Sequence, residues 1–158
     1  MGKFVDNYTN LWITNMLLGE FKHNLDSKNR VTVPAKLRME LGESPVLTRG
    51  LDNCLFIYPN RDWQIFMEKL SKLPLGQAKV RNFKRFILSG ASEIKIDEMG
   101  RVLIPEPLKK YSNLKKEVVI IGVGDRIELW NEDVWNKYIA AAEKESGDLA
   151  EGLSEFGI

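Results

Sequence analysis

Two five-residue segments place an arginine four residues after an aspartate: Asp26-Ser27-Lys28-Asn29-Arg30 and Asp97-Glu98-Met99-Gly100-Arg101. An aspartate at the start of a turn can accept backbone N–H bonds from the residues just after it, which holds the loop closed. Asn29 and Gly100 occupy the same place in each segment, and both residue types tolerate the positive φ that a tight turn needs. Arg30 and Arg101 leave the turns at matched points. Each can pair with its aspartate or project a planar fork toward a phosphate or a guanine edge. Asp26, Asn29, Asp97 and Gly100 are therefore expected to brace turns, and the turns alone leave both roles open to Arg30 and Arg101.

Other chemistry finds little material. The chain has one histidine, His23, and one cysteine, Cys54. A disulfide within the chain is impossible, and a zinc site of Cys and His alone would need more ligands. Cys54 opens an apolar run and reads as a small buried hydrophobe. Ser89, Ser92 and Ser112 stand in no Gly-x-Ser-x-Gly setting. Gly122-Val123-Gly124 lacks the rest of a phosphate-loop fingerprint. No catalytic residue, cofactor, metal or small-molecule substrate is expected, and an enzyme is the least supported class.

The elements that must position the turns come from a duplication. Gly19 and Gly90 are 71 residues apart, as are Asp26 and Asp97, Arg30 and Arg101, Val31 and Val102, Pro34 and Pro105, and Leu37 and Leu108. After a one-residue insertion the offset becomes 72, pairing Val46 with Val118, Gly50 with Gly122 and Trp63 with Trp135. The period-two spacing of Val31 and Val33, and of Val102 and Ile104, predicts short strands after each turn. Pro34 and Pro105 end them, and a short helical stretch follows through Leu37 and Leu108. Strands are expected upstream at Gly19 to Leu25 and Ala91 to Ile96. Downstream they are expected at Val46 to Thr48, Leu55 to Tyr58, Val118 to Ile121 and Ile127 to Trp130. Gly50-Leu51-Asp52-Asn53 and Gly122-Val123-Gly124-Asp125 read as turns.

Each copy closes on an amphipathic helix. Trp63, Phe66, Met67, Leu70 and Leu73 form one core-facing stripe; Trp135, Tyr138, Ile139 and Ala142 form the other. Asn60 or Asp62 would cap the first, Asn131 or Asp133 the second. Pro74-Leu75-Gly76 breaks the chain, and Gln77 to Leu88 reads as one more helix with Val80, Phe83 and Ile87 inward. Its Lys79, Arg81, Lys84 and Arg85 read as a solvated face.

The segments around the turns carry a resemblance. Residues 19–38 read Gly-Glu-Phe-x-His-x-Leu-Asp-x-Lys-Asn-Arg-Val-x-Val-Pro-x-Lys-Leu-Arg, and residues 90–105 read Gly-Ala-Ser-Glu-Ile-x-Ile-Asp-x-x-Gly-Arg-Val-Leu-Ile-Pro. Together, from about Met16 to Ala140, they resemble the MraZ family, regulators with two tandem SpoVT-AbrB domains. Asn29 stands where that family usually has glycine. The resemblance implies an α+β fold, a tandem-repeat swapped-hairpin (AbrB-like) β-barrel formed by the two halves of one chain and flanked by helices. It implies ring-shaped homo-oligomers that bind short direct repeats in double-stranded DNA upstream of the division and cell-wall gene cluster, repressing or adjusting its transcription. The family's basic positions carry onto Lys28, Arg30, Arg38 and Arg101, with Lys109 and Lys110 as second-copy counterparts of the Arg38 region. Met99 stands where the first copy has Lys28, so the second turn should be less basic. The expected organisation is an extension at 1–15, SpoVT-AbrB domains at 20–63 and 91–135, a helical connector at 64–89, and a C-terminal helix and acidic tail at 136–158.

Composition fits this frame. The 158 residues carry 44% hydrophobic and 28% charged side chains, ordinary for a globular protein. Two half-length modules would each be marginal alone, so the halves should pack on one another or on other subunits. The net charge of +1 hides an asymmetry: residues 1–141 hold 22 basic and 17 acidic side chains, and the acidic excess lies beyond them in a tail expected to be solvated. No segment has the length of a membrane span, and Met1 to Asn15 lacks the pattern of a signal peptide, so a cytoplasmic protein is expected, and the resemblance implies that it is nucleoid-associated. The competing reading is a ring-forming interaction scaffold with incidental DNA contact. A single-copy AbrB-like antitoxin fits poorly with the duplication.

Overall fold

The computed structural model describes residues 16–158; the expected extension at 1–15 lies outside the described residues. The first copy contributes β1 (Leu17–Asn24), β2 (Arg30–Thr32), α1 (Ala35–Leu41), β3 (Val46–Arg49), β4 (Leu55–Tyr58) and α2 (Asn60–Ser71). A connecting helix, α3 (Ala78–Ser89), leads to β5 (Ser92–Glu93), β6 (Arg101–Leu103), α4 (Glu106–Ser112), β7 (Glu117–Gly124), β8 (Ile127–Asn131) and α5 (Glu132–Lys144). A last helix, α6 (Ser146–Gly152), and a single 3-10 turn (Ser154–Phe156) finish the chain.

These strands form an α+β architecture with an open six-stranded antiparallel sheet, ordered β1-β7-β8-β4-β3-β5, and a separate ribbon of β2 and β6. Replacing each strand by its repeat counterpart reads the sheet order backwards, so the two copies are related by a local twofold axis. Strands that cross between copies carry the pairing. β1 lies on β7, β4 on β8, β3 on β5 and β2 on β6. Val31 faces its own counterpart Val102 at the centre of the ribbon, and Phe56 faces its counterpart Glu128 between β4 and β8.

The central strands are buried on both faces, which explains their near-continuous apolar runs. Leu55, Ile57, Val118, Ile120, Ile127 and Leu129 face the ribbon and the helices α1 and α4, in one core with Val31, Val33, Leu37, Val102, Ile104 and Leu108. The alternate residues Cys54, Phe56, Tyr58, Val119, Ile121 and Trp130 face α2 and α5, where Trp63, Phe66, Trp135 and Ile139 meet them. The matched tryptophans are thus core residues. Cys54 is buried, and burial pushes its thiol far above the ordinary range.

Several local expectations change. Gly122 to Gly124 are strand and not turn, because Gly122 is where β1 comes close: a Cβ there would lie within 3 Å of the Leu17 and Leu18 backbone. The link falls at Asp125 and Arg126, closed by the Val123 N–H donating to the Arg126 carbonyl at 3.0 Å. The strand expected over Ala91 to Ile96 is only two residues long. Ile94 N–H still donates to the Pro45 carbonyl at 2.9 Å, but Pro45 has no N–H to return and the ladder stops.

The helix caps differ from each other. Asn131 caps α5 by accepting from the Val134 N–H at 3.1 Å, as expected. In α2 the chain enters helix directly after Pro59, so Asn60 sits in the first turn and its amide donates to the Ser44 carbonyl instead. Leu73 falls beyond the end of α2 and is exposed, and Tyr138 is half-exposed while packing against Trp130 and Trp135. The acidic tail is helical, yet α6 buries none of its residues.

Candidate nucleic-acid interface

Both turns are closed by the same set of bonds. Asp26 Oδ1 accepts from the Lys28 and Arg30 N–H groups at 2.9 Å, and Oδ2 accepts from Arg30 Nε at 2.8 Å. Asp97 Oδ1 accepts from the Met99 N–H at 2.9 Å and the Arg101 N–H at 2.8 Å, and Oδ2 accepts from Arg101 Nε at 2.8 Å. The Arg30 backbone N–H above all, then its guanidinium and the Lys28 N–H, hold the Asp26 carboxyl below its ordinary value against an opposing desolvation. The Arg101 backbone and guanidinium do the same for Asp97. Asn29 and Gly100 take φ of 60° and 80°, the left-handed conformation expected of them.

Each arginine spends its Nε on the brace, so the outward Nη atoms have no hydrogen-bond partner among the described residues. The ribbon register then fixes where they point. Directly opposed residues of an antiparallel pair share a face, and the face alternates along the strand. Arg30 pairs with Leu103, and Thr32 with Arg101, so all four lie on one face. Val31 and Val102 occupy the other and are fully buried. Arg30 and Arg101 therefore rise from diagonal corners of one outward surface.

The copies also brace each other's turns. The Val33 N–H donates to the Gly100 carbonyl and the Ile104 N–H to the Asn29 carbonyl, both at 2.8 Å. Lys109 Nζ donates to Asn29 Oδ1, and Asn29 Nδ2 donates to Glu106 Oε2, both at 2.9 Å. Arg38, the first-copy counterpart of Lys109, lies across Gly100 so closely that a Cβ there would fall within 3 Å of its guanidinium. Its Nε is buried without a hydrogen-bond partner among the described residues. Lys28, Arg30 and Lys109 thus gather at the first turn, Arg38 and Arg101 at the second. Lys110 is exposed on α4, with no side-chain bond among the described residues. Glu98 and Met99 are exposed where the first turn has Ser27 and Lys28, so the first turn is the more basic.

Sequence reasoning missed this crosswise bracing, because the contacts join residues about 80 positions apart. It also passed over Lys115 and Lys116. They line an open cleft of about 620 Å³ against Asn24, Leu25, Asp26 and Ser27, with Lys109 and Leu114. The signal was available, since they sit at the one-residue insertion between the copies. Among the described residues no group of three or more His, Cys, Asp or Glu side chains could hold a metal, and no helix is long and apolar enough to cross a membrane.

A duplicated α+β module whose copies exchange strands to build one ribbon, with a braced arginine turn at each end, defines a class of tandem-repeat protein. The MraZ family model, described as "MraZ protein, putative antitoxin-like", matches residues 16–86 and again 87–153, and the chain belongs to that family. It is 52% identical over 143 residues to a "Transcriptional regulator MraZ" of Clostridium tetani, covering 90% of this chain and 100% of that one. Proteins of the same name from Natranaerobius thermophilus and Halothermothrix orenii are 49% and 48% identical over the same shares.

Proposed function

We propose that this protein is a sequence-specific DNA-binding regulator of transcription. The observation that carries the reading is the placement of Arg30 and Arg101 on one outward face of the β2–β6 ribbon, with Nε fixed and Nη free. A two-stranded ribbon fits the major groove, where an arginine fork can bond guanine O6 and N7 or reach a phosphate. Relatives that are named transcriptional regulators at about half identity over their full length support it. Lys28, Arg38, Lys109 and Lys110 supply further charge. The interleaved strands support a swapped-hairpin barrel built from two SpoVT-AbrB domains, at 20–63 and 91–135, with 64–89 as connector and 136–158 as C-terminal helix and tail.

One chain offers few contacts, and a ring of copies would multiply them without new chemistry, since tethered sites raise effective concentration. In this reading the ring sits on direct repeats upstream of the division and cell-wall gene cluster, in the cytoplasm at the nucleoid, and represses that cluster. Binding of the protein to its own upstream DNA, followed by gel shift, tests it. Arg30→Ala with Arg101→Ala should weaken binding by at least about tenfold, the order expected for losing specific arginine contacts, while oligomer size is kept. Unchanged binding at unchanged size would instead favour an interaction scaffold, a reading to which the exposed Leu149, Leu153 and Phe156 of the tail give some support.

A further inference from the structure

We infer that Lys115 and Lys116, with Lys109, form a phosphate-binding cleft beside the first turn, so that DNA is held asymmetrically and chiefly by the first-copy end of the ribbon. The inference rests on the DNA-binding reading and names a further part of that interface.

The cleft is built by the fold. The Leu25 N–H donates to the Lys116 carbonyl at 2.7 Å, which pins the lysine pair next to the residue that precedes Asp26. One wall is Asn24 to Ser27, leading straight into the turn; the other is Leu114 to Lys116, with Lys109 between them. Lys109 bonds Asn29 and so joins the cleft to the turn that carries Lys28 and Arg30. Lys115 and Lys116 are exposed and form no ion pair among the described residues. The carboxylate on the cleft wall, Asp26, is already engaged by Arg30 and two backbone N–H groups. A neighbouring cleft on the far side of the lysines is lined by Glu117, Glu132 and Asp133, so an anion is favoured only on the side of the turn.

The second copy lacks this arrangement. Gly42 and Asn113 are matched left-handed residues ending α1 and α4, with φ of 65° and 51°. After them the first copy runs Glu43-Ser44-Pro45, whereas the second runs Leu114-Lys115-Lys116-Glu117. The inserted residue therefore accompanies a lysine pair, and the crossing of strands delivers that pair to the first-copy turn. At the other end of the ribbon the turn carries Glu98 and Met99, with Arg38 across Gly100, and the first-copy residue at the place of the lysine pair is Glu43. Geometry that is twofold-related thus carries charge that is not.

Fluorescence anisotropy on the full chain, with a labelled duplex of its own upstream DNA and a scrambled duplex in a KCl series, tests this. Lys115→Gln with Lys116→Gln should lower the magnitude of the log–log salt slope by about 0.9 to 1.8 per bound chain, one or two phosphates, and weaken binding equally on both duplexes. Lys115→Arg with Lys116→Arg should restore both, and the single variants should fall between. The elution volume and thermal midpoint of each variant should match the wild type, as the side chains are exposed. An unchanged slope while Arg30→Ala still lowers affinity overturns the inference alone. So does a loss confined to the specific duplex. A wild type with no salt-sensitive binding to either duplex overturns the DNA-binding reading and this inference together.

Discussion

Asp26 and Asp97 decide what Arg30 and Arg101 can do. A guanidinium has five donors, and each aspartate takes one through Nε, leaving the outer edge directed away from the turn. The bond therefore both braces the turn and orients the fork. The same bonds stabilise the ionised carboxylates, so the folded state holds both below the ordinary value of 3.8. A carboxyl whose folded value is depressed contributes stability that is present above its unfolded value and lost as pH falls through the folded one. Below about pH 3.8 the turns should loosen. Carboxyl carbon NMR should find midpoints for Asp26 and Asp97 below 3.8; midpoints at or above 3.8 would show the braces to be weak in solution.

At the scale of elements, the ribbon depends on one pair. Val31 and Val102 face each other across β2 and β6, and both are fully buried. Trimming either to alanine should cost about 2 kcal/mol, from lost burial and an imperfectly filled gap. Because they touch the same space, the double variant should depart from additivity by about 0.5 kcal/mol or more in urea unfolding. Additive losses would mean that the ribbon is held by the helices and not by its own centre. Most elements were legible in the sequence because periodicity reports burial: β4 has the expected bounds, and α3 differs by one residue at each end. The misreadings fall where a distant segment decides. Gly122 looked like a turn glycine but makes room for β1, and the strand after Ala91 is cut short by Pro45 of another strand.

For the whole molecule, the crossing strands make the halves interdependent. Residues 16–89 alone would leave β1 without β7 and β4 without β8, exposing apolar strand faces and unpaired edges. Each half expressed separately should be unfolded or self-associated, and mixing residues 1–89 with 90–158 should restore one cooperative unfolding transition. A first half that remains a monomer with its own sharp transition would refute the interdependence. The exchange also explains why a near-neutral chain can present a basic corner. Lys109, Lys115 and Lys116 belong to the second copy by sequence, yet they border the turn of the first.

The sequence by itself determined the duplication, the two turns with their aspartate braces and left-handed residues, and the strands and helices around them. Each depends on contacts within a few residues, or on a burial pattern written along one element. Only the tertiary structure decided which strands pair, that Arg30 and Arg101 share one face of a ribbon, and that each copy's helix supports the other copy's turn. Those relations join residues some 70 to 80 positions apart, and local propensity holds no information about them. The repeated Asp-x-x-x-Arg segments thus announced two matched turns, the second less basic because Met99 stands where the first has Lys28. Folding widened that difference by bringing Lys109, Lys115 and Lys116 to the first.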